Sequence, residues 1–474
     1  MQHAYGFYSV WATRPLCPRL QPAFSFDDME NVTIANQLNV LPVTRAHWRI
    51  TIIVGLGLFF DLFDVFLAGV LSTVLTTSFG LSQQVLPLVL GSSFLGMFIG
   101  AASMGGIADR HGRRPAFLIN LGIYSLFTLI GAFSINAAML VLTRFLAGIG
   151  IGAEMPLSDA FLSELLPAQH RGRMMSWAYT TGFLGVPVAG LLARVLVPLN
   201  PLGVAGWRWL FVAGSLGGVI VWSLRRMLPE SPRWLESVGR SDEAAAIAKQ
   251  IAEGAADIKP VHTAPAKSEP VPYQKLLEPQ HRKVTIMFCV FQIFQTVGYY
   301  GFGTIVPLVL AAKGFSVLSS LTYVTIAFFG YPVGAALAVP IVERIERRWL
   351  IVGSALLMAI FGLGVGYATE PLAIMALGFA YTVTSNIFSN GFHILQGEVF
   401  PTALRARAAG SIYGLSRLSS AVMPFVLLPV LRRYGPGVMF ACIAVAMLIV
   451  IADIALFAPA TTGRALEEIA GDAT

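Results

Sequence analysis

Twelve apolar stretches, each long enough to cross a lipid bilayer as a helix, divide this chain of 474 residues. A membrane-spanning helix needs about 20 predominantly apolar residues. Because each span must satisfy its own backbone hydrogen bonds in lipid, a helical bundle is the fold that these stretches predict. The predicted spans are 50–72, 85–107, 115–135, 137–160, 174–196, 206–226, 284–310, 318–341, 349–368, 371–394, 406–430 and 436–458.

Composition agrees with an all-α membrane protein. Hydrophobic residues make up 56% of the chain and charged residues 12%, whereas soluble domains carry about 25% charged residues. The three cysteines, Cys17, Cys289 and Cys442, are too far apart for a disulfide framework or a metal site. We therefore expect no metal and no cofactor.

A charged motif occurs twice at one offset, which indicates a duplicated protein. Residues 109–114 read Asp-Arg-His-Gly-Arg-Arg, and residues 343–348, at an offset of 234, read Glu-Arg-Ile-Glu-Arg-Arg. The same offset relates 164–173 to 398–407, each with a glutamate, a proline and two arginines. Two repeated halves are a known architecture of secondary transporters.

The repeat predicts two pseudo-symmetric halves of six helices. The predicted divisions are a cytoplasmic N-terminal segment (1–48), a first six-helix bundle (49–226), a cytoplasmic linker with a short helix (227–283), a second six-helix bundle (284–458) and a cytoplasmic tail (459–474). Within the linker we expect a surface helix from Asp242 to Ala252, followed by a flexible stretch rich in Pro and Ala.

Positive charge is concentrated in alternate loops. The arginines of the repeated motifs lie on one side, together with the basic residues of segment 225–283, which begins at Arg225. The opposite loops hold Arg208, Lys313, Arg432 and Arg433. The positive-inside rule places the first set and both termini in the cytoplasm, in a plasma (inner) membrane. The net charge of +7 is therefore a sign of membrane orientation, and we expect no nucleic-acid partner.

Three motifs resemble those of the major facilitator superfamily. Gly105-(x)3-Asp109-Arg110-x-Gly112-Arg113-Arg114 resembles the loop signature between helices two and three of that family. The pattern from Arg144 to Gly172 resembles helix four of its sugar porter and organic-ion branches, and residues 229–234 (Pro-Glu-Ser-Pro-Arg-Trp) resemble the sugar porter signature after helix six. The resemblance covers residues 45–460 and implies twelve transmembrane helices in two halves.

The loop motifs predict a cytoplasmic gate. Asp109 can cap a neighbouring helix N-terminus or pair with arginines, and Gly112 permits a tight turn. Glu164 is expected to pair with Arg171 or Arg173, and Glu398 with Arg405 or Arg407. Such pairs would hold the outward-facing state shut and break when the halves rock. The gate candidates are Gly105, Asp109, Arg110, Gly112, Arg113, Arg114, Glu164, Arg171 and Arg173, with Glu343, Arg344, Arg347, Arg348, Glu398, Arg405 and Arg407 in the second half.

Charges inside the first half predict proton coupling. Asp61 and Asp64 share one helix face, roughly 17–21 Å from the cytoplasmic edge at about 1.5 Å per residue. Arg144 lies at about 19 Å in a core of about 30 Å, so the three can meet at one depth. A purely structural ion pair is the alternative. Asp61-x-x-Asp64 resembles the paired acids of aromatic-acid:proton symporters, with Leu62 where a glycine is usual.

Polar residues near the midplane are candidates for substrate binding. Arg417 could bind a carboxylate, or it could pair with Asp61, Asp64 or Glu154. The other candidates are Gln292, Gln295, Tyr299, Tyr300, Asn386, Asn390 and Tyr179, for which hydrogen bonding between helices is the alternative. Glu154 and Asp159 could form an inner gate or pair locally, and His393 is expected at the membrane interface.

We therefore predict a monomeric secondary transporter that couples protons to a small organic anion, an aromatic or other monocarboxylate. The alternatives are a proton-coupled sugar or polyol porter and an efflux antiporter of the same fold. An enzyme is not expected, because the sequence has no nucleophile–base pair, phosphate loop or metal cluster.

Overall fold

The computed structural model describes residues 33–254, 276–342, 344–400 and 402–461, and within them the regular secondary structure is helical. The helices are α1 Ile34–Asn39, α2 Arg45–Val70, α3 Ser72–Phe79, α4 Val85–His111, α5 Arg113–Ala132, α6 Ala137–Gly152, α7 Glu154–Leu165, α8 Arg171–Phe183, α9 Gly185–Leu199, α10 Gly206–Arg225, α11 Pro232–Ser237, α12 Ser241–Ala252, α13 Pro279–Ala312, α14 Val317–Phe328, α15 Gly330–Val342, α16 Arg347–Tyr367, α17 Pro371–Val399 and α18 Thr402–Phe457.

The described helices supply the twelve predicted spans. Eleven helical segments are long and apolar enough to cross a membrane, and the last of these, Ser411–Phe457, has 47 residues. At about 1.5 Å per residue, that segment is roughly twice as long as the hydrocarbon core is thick. It is broken at Gly435, where φ is 83°, a left-handed conformation that favours glycine. The segment is therefore two spans, and the twelve-helix architecture is confirmed.

Three spans that the sequence predicts as single helices are each interrupted once. α6 meets α7 at Ala153, α8 meets α9 at Leu184, and α14 meets α15 at Phe329. A glycine beside each break lies against a neighbouring backbone: a Cβ on Gly185 would stand 2.0 Å from the carbonyl oxygen of Phe59. Each interruption therefore lies beside a close approach to a neighbouring backbone.

Both described chain ends lie at the same end of the bundle, which we call the termini end. The backbone N–H of Ile34 donates to Glu236 of α11 (3.2 Å), and that of Thr461 donates to Glu346 at the start of α16 (3.0 Å). The predicted linker helix is present and begins one residue early, at Ser241. The Pro- and Ala-rich stretch predicted as flexible lies outside the described residues.

The two halves touch closely near the opposite, far end. A Cβ on Gly69 of α2 would stand 2.8 Å from the carbonyl oxygen of Gly303 on α13. A Cβ on Gly91 of α4 would stand 2.5 Å from the carbonyl oxygen of Ala421 on α18. A side chain larger than hydrogen has no room at these positions. These glycine contacts therefore bring backbones of the two halves together at the far end.

Candidate functional site

Asp64 and Arg144 form an ion pair in the core of the first half. Their side-chain atoms approach to 2.7 Å, and the two side chains are 0% and 1% exposed. Arg144 also donates to the Asp64 carbonyl oxygen at 3.0 Å and to the Ser93 hydroxyl at 3.3 Å. The predicted meeting of α2 and α6 charges at one depth is therefore observed for this pair.

A second buried ion pair joins Glu154 at the start of α7 to Arg225, the last residue of α10. Both side chains are 1% exposed, and the Arg225 guanidinium lies 4.1 Å from the centroid of the Phe117 ring. Gly57 of α2 makes room for it, because a Cβ there would stand 2.0 Å from the guanidinium. Counting Arg225 with the charges of the cytoplasmic linker is therefore wrong: its side chain turns into the bundle.

Asp61 lies near both pairs but belongs to neither. Its side chain is 3% exposed, and its Oδ2 atom has no hydrogen-bond partner. Glu154, Arg225 and Asp64 all lie within electrostatic range of it. The sequence allows Asp61, Asp64 and Arg144 to meet at one depth, and the structure pairs Asp64 with Arg144 and leaves Asp61 outside that ion pair. Three carboxyl groups thus share this core with two guanidinium groups.

Arg417 lies between the halves and is held by hydroxyl groups. One Nη atom donates to the Tyr300 hydroxyl at 2.6 Å and the other to the Tyr413 hydroxyl at 2.9 Å. The second Nη atom also lies 3.7 Å from the sulfur of Met155, which belongs to the first half. The guanidinium is 4% exposed and 5.1 and 4.9 Å from the centroids of the two tyrosine rings.

Arg417 makes no ion pair with any described carboxylate. The alternative partners suggested by the sequence were Asp61, Asp64 and Glu154. Asp64 and Glu154 are paired with arginines of their own half, and Asp61 is within electrostatic range of Arg417 without contacting it. Pairing with these acids is therefore not found.

The four substrate candidates on α13 divide into two groups. Gln295 donates to Gln292 and Gln292 donates to Gln396, each at 2.9 Å. Gln396 of α17 was not predicted. Tyr299 stacks edge-on against Tyr300, with ring centroids 4.9 Å apart. The glutamines therefore form a buried amide chain, and the tyrosines form a wall beside Arg417.

Aromatic rings of the first half complete that wall. The ring centroids of Phe94 and Phe66 lie 5.2 and 6.2 Å from that of Tyr300. A sequence search for charged and polar residues misses both phenylalanines, because apolar rings are abundant in every span. Rings from both halves thus lie around Tyr300, which holds Arg417.

The remaining substrate candidates lie in local contacts. Asn386 donates to the Tyr331 carbonyl oxygen of α15 at 2.7 Å, which is the interhelical hydrogen bond given as the alternative, whereas Asn390 donates to the Asn386 carbonyl oxygen within α17 at 2.9 Å. Tyr179 donates to Asp159 at 2.6 Å, and its ring stacks on His393 across the halves, with centroids 6.4 Å apart. Placing His393 at the membrane interface is wrong, because α17 continues to Val399 and leaves it inside the bundle.

The first loop motif folds as a tight turn. Gly112 has φ 101°, and Glu230 of the Pro-Glu-Ser-Pro-Arg-Trp motif caps the helix that follows, accepting from the Arg113 N–H at 2.9 Å. A Cβ on Gly112 would stand 2.4 Å from a Glu230 carboxylate oxygen, so conformation and space both require glycine. Asp109 pairs with the Arg113 side chain at 2.6 Å instead of capping a helix. Burial raises the pKa of Glu230 above its ordinary value, and the hydrogen bonds from backbone donors offset part of that rise.

The companion charge network differs from the prediction. Glu164 pairs with Arg113 at 3.1 Å, because Arg171 turns to the side-chain oxygen of Asn39 at 2.9 Å. Glu398 pairs with Arg347 at 3.5 Å. These two pairs, 113–164 and 347–398, are related by the repeat offset, so each half contains the same contact. Each pair lies within its own half. A latch across the halves stays a prediction.

The other described gate candidates either donate to a backbone carbonyl oxygen or are exposed. Arg114 donates to the Arg226 carbonyl oxygen, and Arg348 donates to that of Ala458 at 3.3 Å. Arg110, Arg173, Arg344 and Gly105 are exposed. Glu343 and the side chains of Arg405 and Arg407 lie outside what the structure describes.

Comparisons with known proteins agree with this architecture. The family model described as "Sugar (and other) transporter" matches residues 42–472. The putative metabolite transport protein YyaJ of Bacillus subtilis is 34% identical over 81% of this chain and 86% of its own length. The niacin transporter NiaP of Acinetobacter baylyi is 29% identical over 92% and 99%. The 4-hydroxybenzoate transporter PcaK of that organism is 27% identical over 81% and 84%.

The solved structures show the same fold. The xylose transporter XylE from E. coli, in a partially occluded inward open conformation, aligns with a TM-score of 0.74 at 22% identity, over 89% of this chain and 100% of the other. At that identity the likeness concerns the fold alone. The extent of the family match and the identity to YyaJ carry the assignment. This chain therefore belongs to the sugar (and other) transporter family of the major facilitator superfamily, and it is a multi-pass membrane transporter.

Proposed function

We propose that the protein transports a small organic anion, an aromatic or other monocarboxylate, together with protons. The observation that carries this proposal is Arg417, which is buried between the halves and held by neutral hydroxyls. A buried charge without a counter-charge is costly. A substrate carboxylate would supply that charge through two parallel hydrogen bonds.

The rings around Arg417 support an aromatic substrate. Aromatic pairs prefer ring centroids about 4.5–7 Å apart, and Tyr300 already interacts with Tyr299 and with Phe94 in this range. A planar acid inserted beside Tyr300 could replace one of these contacts. The relatives NiaP and PcaK are named as transporters of niacin and 4-hydroxybenzoate, which supports the same substrate class.

The charges of the first half support proton coupling at Asp61. Each of the two buried ion pairs is neutral, so an ionised Asp61 would leave one uncompensated negative charge in the core. A proton on Asp61 removes that charge. Arg417 lies within electrostatic range of Asp61, so an ionised Asp61 competes with a substrate carboxylate for the same cation. Protonation of Asp61 would thus favour anion binding, as symport requires.

Uptake into proteoliposomes tests this function. One proton moving with one monocarboxylate carries no net charge, so we expect a pH gradient to drive accumulation of labelled benzoate and a membrane potential alone to drive none. Unlabelled aromatic acids should compete, whereas benzamide and xylose should not. Accumulation of xylose in preference to benzoate would contradict the proposal.

A sugar or polyol substrate is the second candidate. The chain of Gln295, Gln292 and Gln396 is buried, and amides can hydrogen-bond hydroxyl groups. In the described structure these amides bond to each other, so a sugar would have to replace those bonds. The competition experiment with xylose decides between the two substrates.

We further propose that the termini end faces the cytoplasm in a plasma (inner) membrane. The support is the concentration of arginine in the loops of that end. Tags inserted at the N-terminus and near Lys267 should be protected from an external protease in intact cells, and a tag near Thr369 should be cleaved. External cleavage at Lys267 would overturn this orientation.

A further inference from the structure

A cavity of about 540 Å³ opens at the termini end of the first half, outside the transport site. It lies where α2 begins, where α10 ends and where α12 packs beside them. Its floor is apolar and includes Ile50, Leu228 and Ile251. The arginines that line it are Arg45, Arg49, Arg114 and Arg226.

The four guanidinium groups form no ion pair in the parts of the chain that the structure describes. Arg226 lies 3.5 Å from the centroid of the Trp222 ring, and Arg49 contacts the sulfur of Met227 at 3.8 Å. Glu253, the carboxylate in the cavity wall, accepts from the backbone N–H of Arg45 at 3.3 Å. The cavity therefore holds an excess of positive charge.

Two other arginines at this end behave differently. Arg113 pairs with two carboxylates, and Arg240 pairs with Glu243 at 2.6 Å. Charges that only set membrane orientation need no shared cavity and can spread over the loops. Four unpaired arginines around one apolar floor are instead the arrangement expected of an anion-binding site.

We propose that this cavity binds a phosphate-bearing anion. Guanidinium groups match phosphate oxygens with paired hydrogen bonds, and the apolar floor suits the carbon skeleton next to the phosphate. The cavity lies at the level where spans end, and the exposed Trp48 near it (42% exposed) is typical of the membrane interface. The phosphate can therefore come from an anionic phospholipid headgroup or from a soluble phosphomonoester.

Binding to the purified, detergent-solubilised protein tests the site and distinguishes the two sources. The probes are dioctanoyl phosphatidylglycerol, dioctanoyl phosphatidylcholine and glycerol phosphate, each titrated with native mass spectrometry and thermal unfolding as readouts. The double variant R49Q/R226Q is expected to bind the phosphatidylglycerol roughly 10- to 30-fold more weakly, because each arginine near the membrane surface contributes a factor of about three to five. The matched control is R240Q/R282Q, which removes two exposed arginines of the same end from outside the cavity.

The outcomes separate as follows. Tight phosphatidylglycerol binding that R49Q/R226Q weakens and R240Q/R282Q does not supports a lipid headgroup. Glycerol phosphate binding of equal strength and equal sensitivity supports a soluble ligand at the same site. Equal losses in the two double variants, or binding no tighter than that of phosphatidylcholine, would overturn the site. Because no transport is measured, the result is independent of the proposed substrate and of proton coupling.

Discussion

The variant R417K is expected to bind an acidic substrate roughly 10- to 150-fold more weakly than the native protein. Losing one charged hydrogen-bond partner costs about 1.5–3 kcal/mol, and about 1.4 kcal/mol corresponds to a factor of ten. Lysine keeps the charge but cannot reproduce the planar fork, which in the structure reaches two hydroxyls at once, those of Tyr300 and Tyr413. Equilibrium binding of labelled benzoate to the purified protein measures the loss.

Two comparisons keep this result interpretable. R433K changes an exposed arginine of the same helix and should leave benzoate binding unchanged. A neutral amide analogue should bind native protein and R417K with similar, weak affinity, because it has no carboxylate to lose. If R417K elutes as a folded monodisperse protein and binds benzoate as tightly as the native protein, then Arg417 has a structural role and does not bind the substrate.

The variant D61N is expected to abolish proton-driven accumulation while leaving substrate exchange across the membrane intact. Asparagine resembles the protonated acid in shape and charge, so the transporter should fold and bind substrate, yet it cannot release the proton that couples transport to the gradient. Accumulation under a pH gradient and counterflow at equal pH, measured in proteoliposomes, separate the two effects. Normal accumulation by D61N would remove Asp61 from the coupling.

The neighbouring variant D64N serves as the contrast, because it breaks an ion pair. Removing Asp64 leaves the guanidinium of Arg144 buried and unpaired, which typically costs about 3–5 kcal/mol. We therefore expect D64N to express poorly and to unfold at a lower temperature, and the neutral pair D64N/R144Q to recover part of that stability. Equal stability of D61N and D64N would contradict this distinction between the two acids.

Hydropathy and depth along the spans predict much of this molecule. Apolar length gives the twelve helices, and counting residues inward from each end brings Asp64 and Arg144 to one level, where the structure pairs them. The depth of a residue along its span does not predict which way its side chain points. Arg225 stands at a helix end, and its inward turn depends on space left by Gly57 on another helix.

The sequence also does not predict which of several arginines forms an ion pair with a given glutamate. The repeat identifies Glu164 and Glu398 as equivalent, but several arginines are near each of them in the sequence. The structure selects Arg113 and Arg347. Likewise, the sequence marks residues 229–234 as a motif, yet only the fold brings Glu230 to the N-terminus of α5. These contacts join residues that are far apart in the sequence, so they depend on how the helices pack. A single sequence does not predict that packing.

The ion pairs 113–164 and 347–398 have a consequence for the relative free energies of the conformations in the transport cycle. An ion pair inside one half keeps its geometry when that half moves as a rigid body, so it stabilises every conformation by the same amount. An interaction of equal free energy in two states shifts neither population. The balance between conformations then depends on contacts between the halves, such as those of Gly69 and Gly91 at the far end, which we expect to separate when the halves rock. The pairs 113–164 and 347–398 therefore act as braces within each half, and we expect the glycine contacts between the halves to weigh on the conformational equilibrium instead.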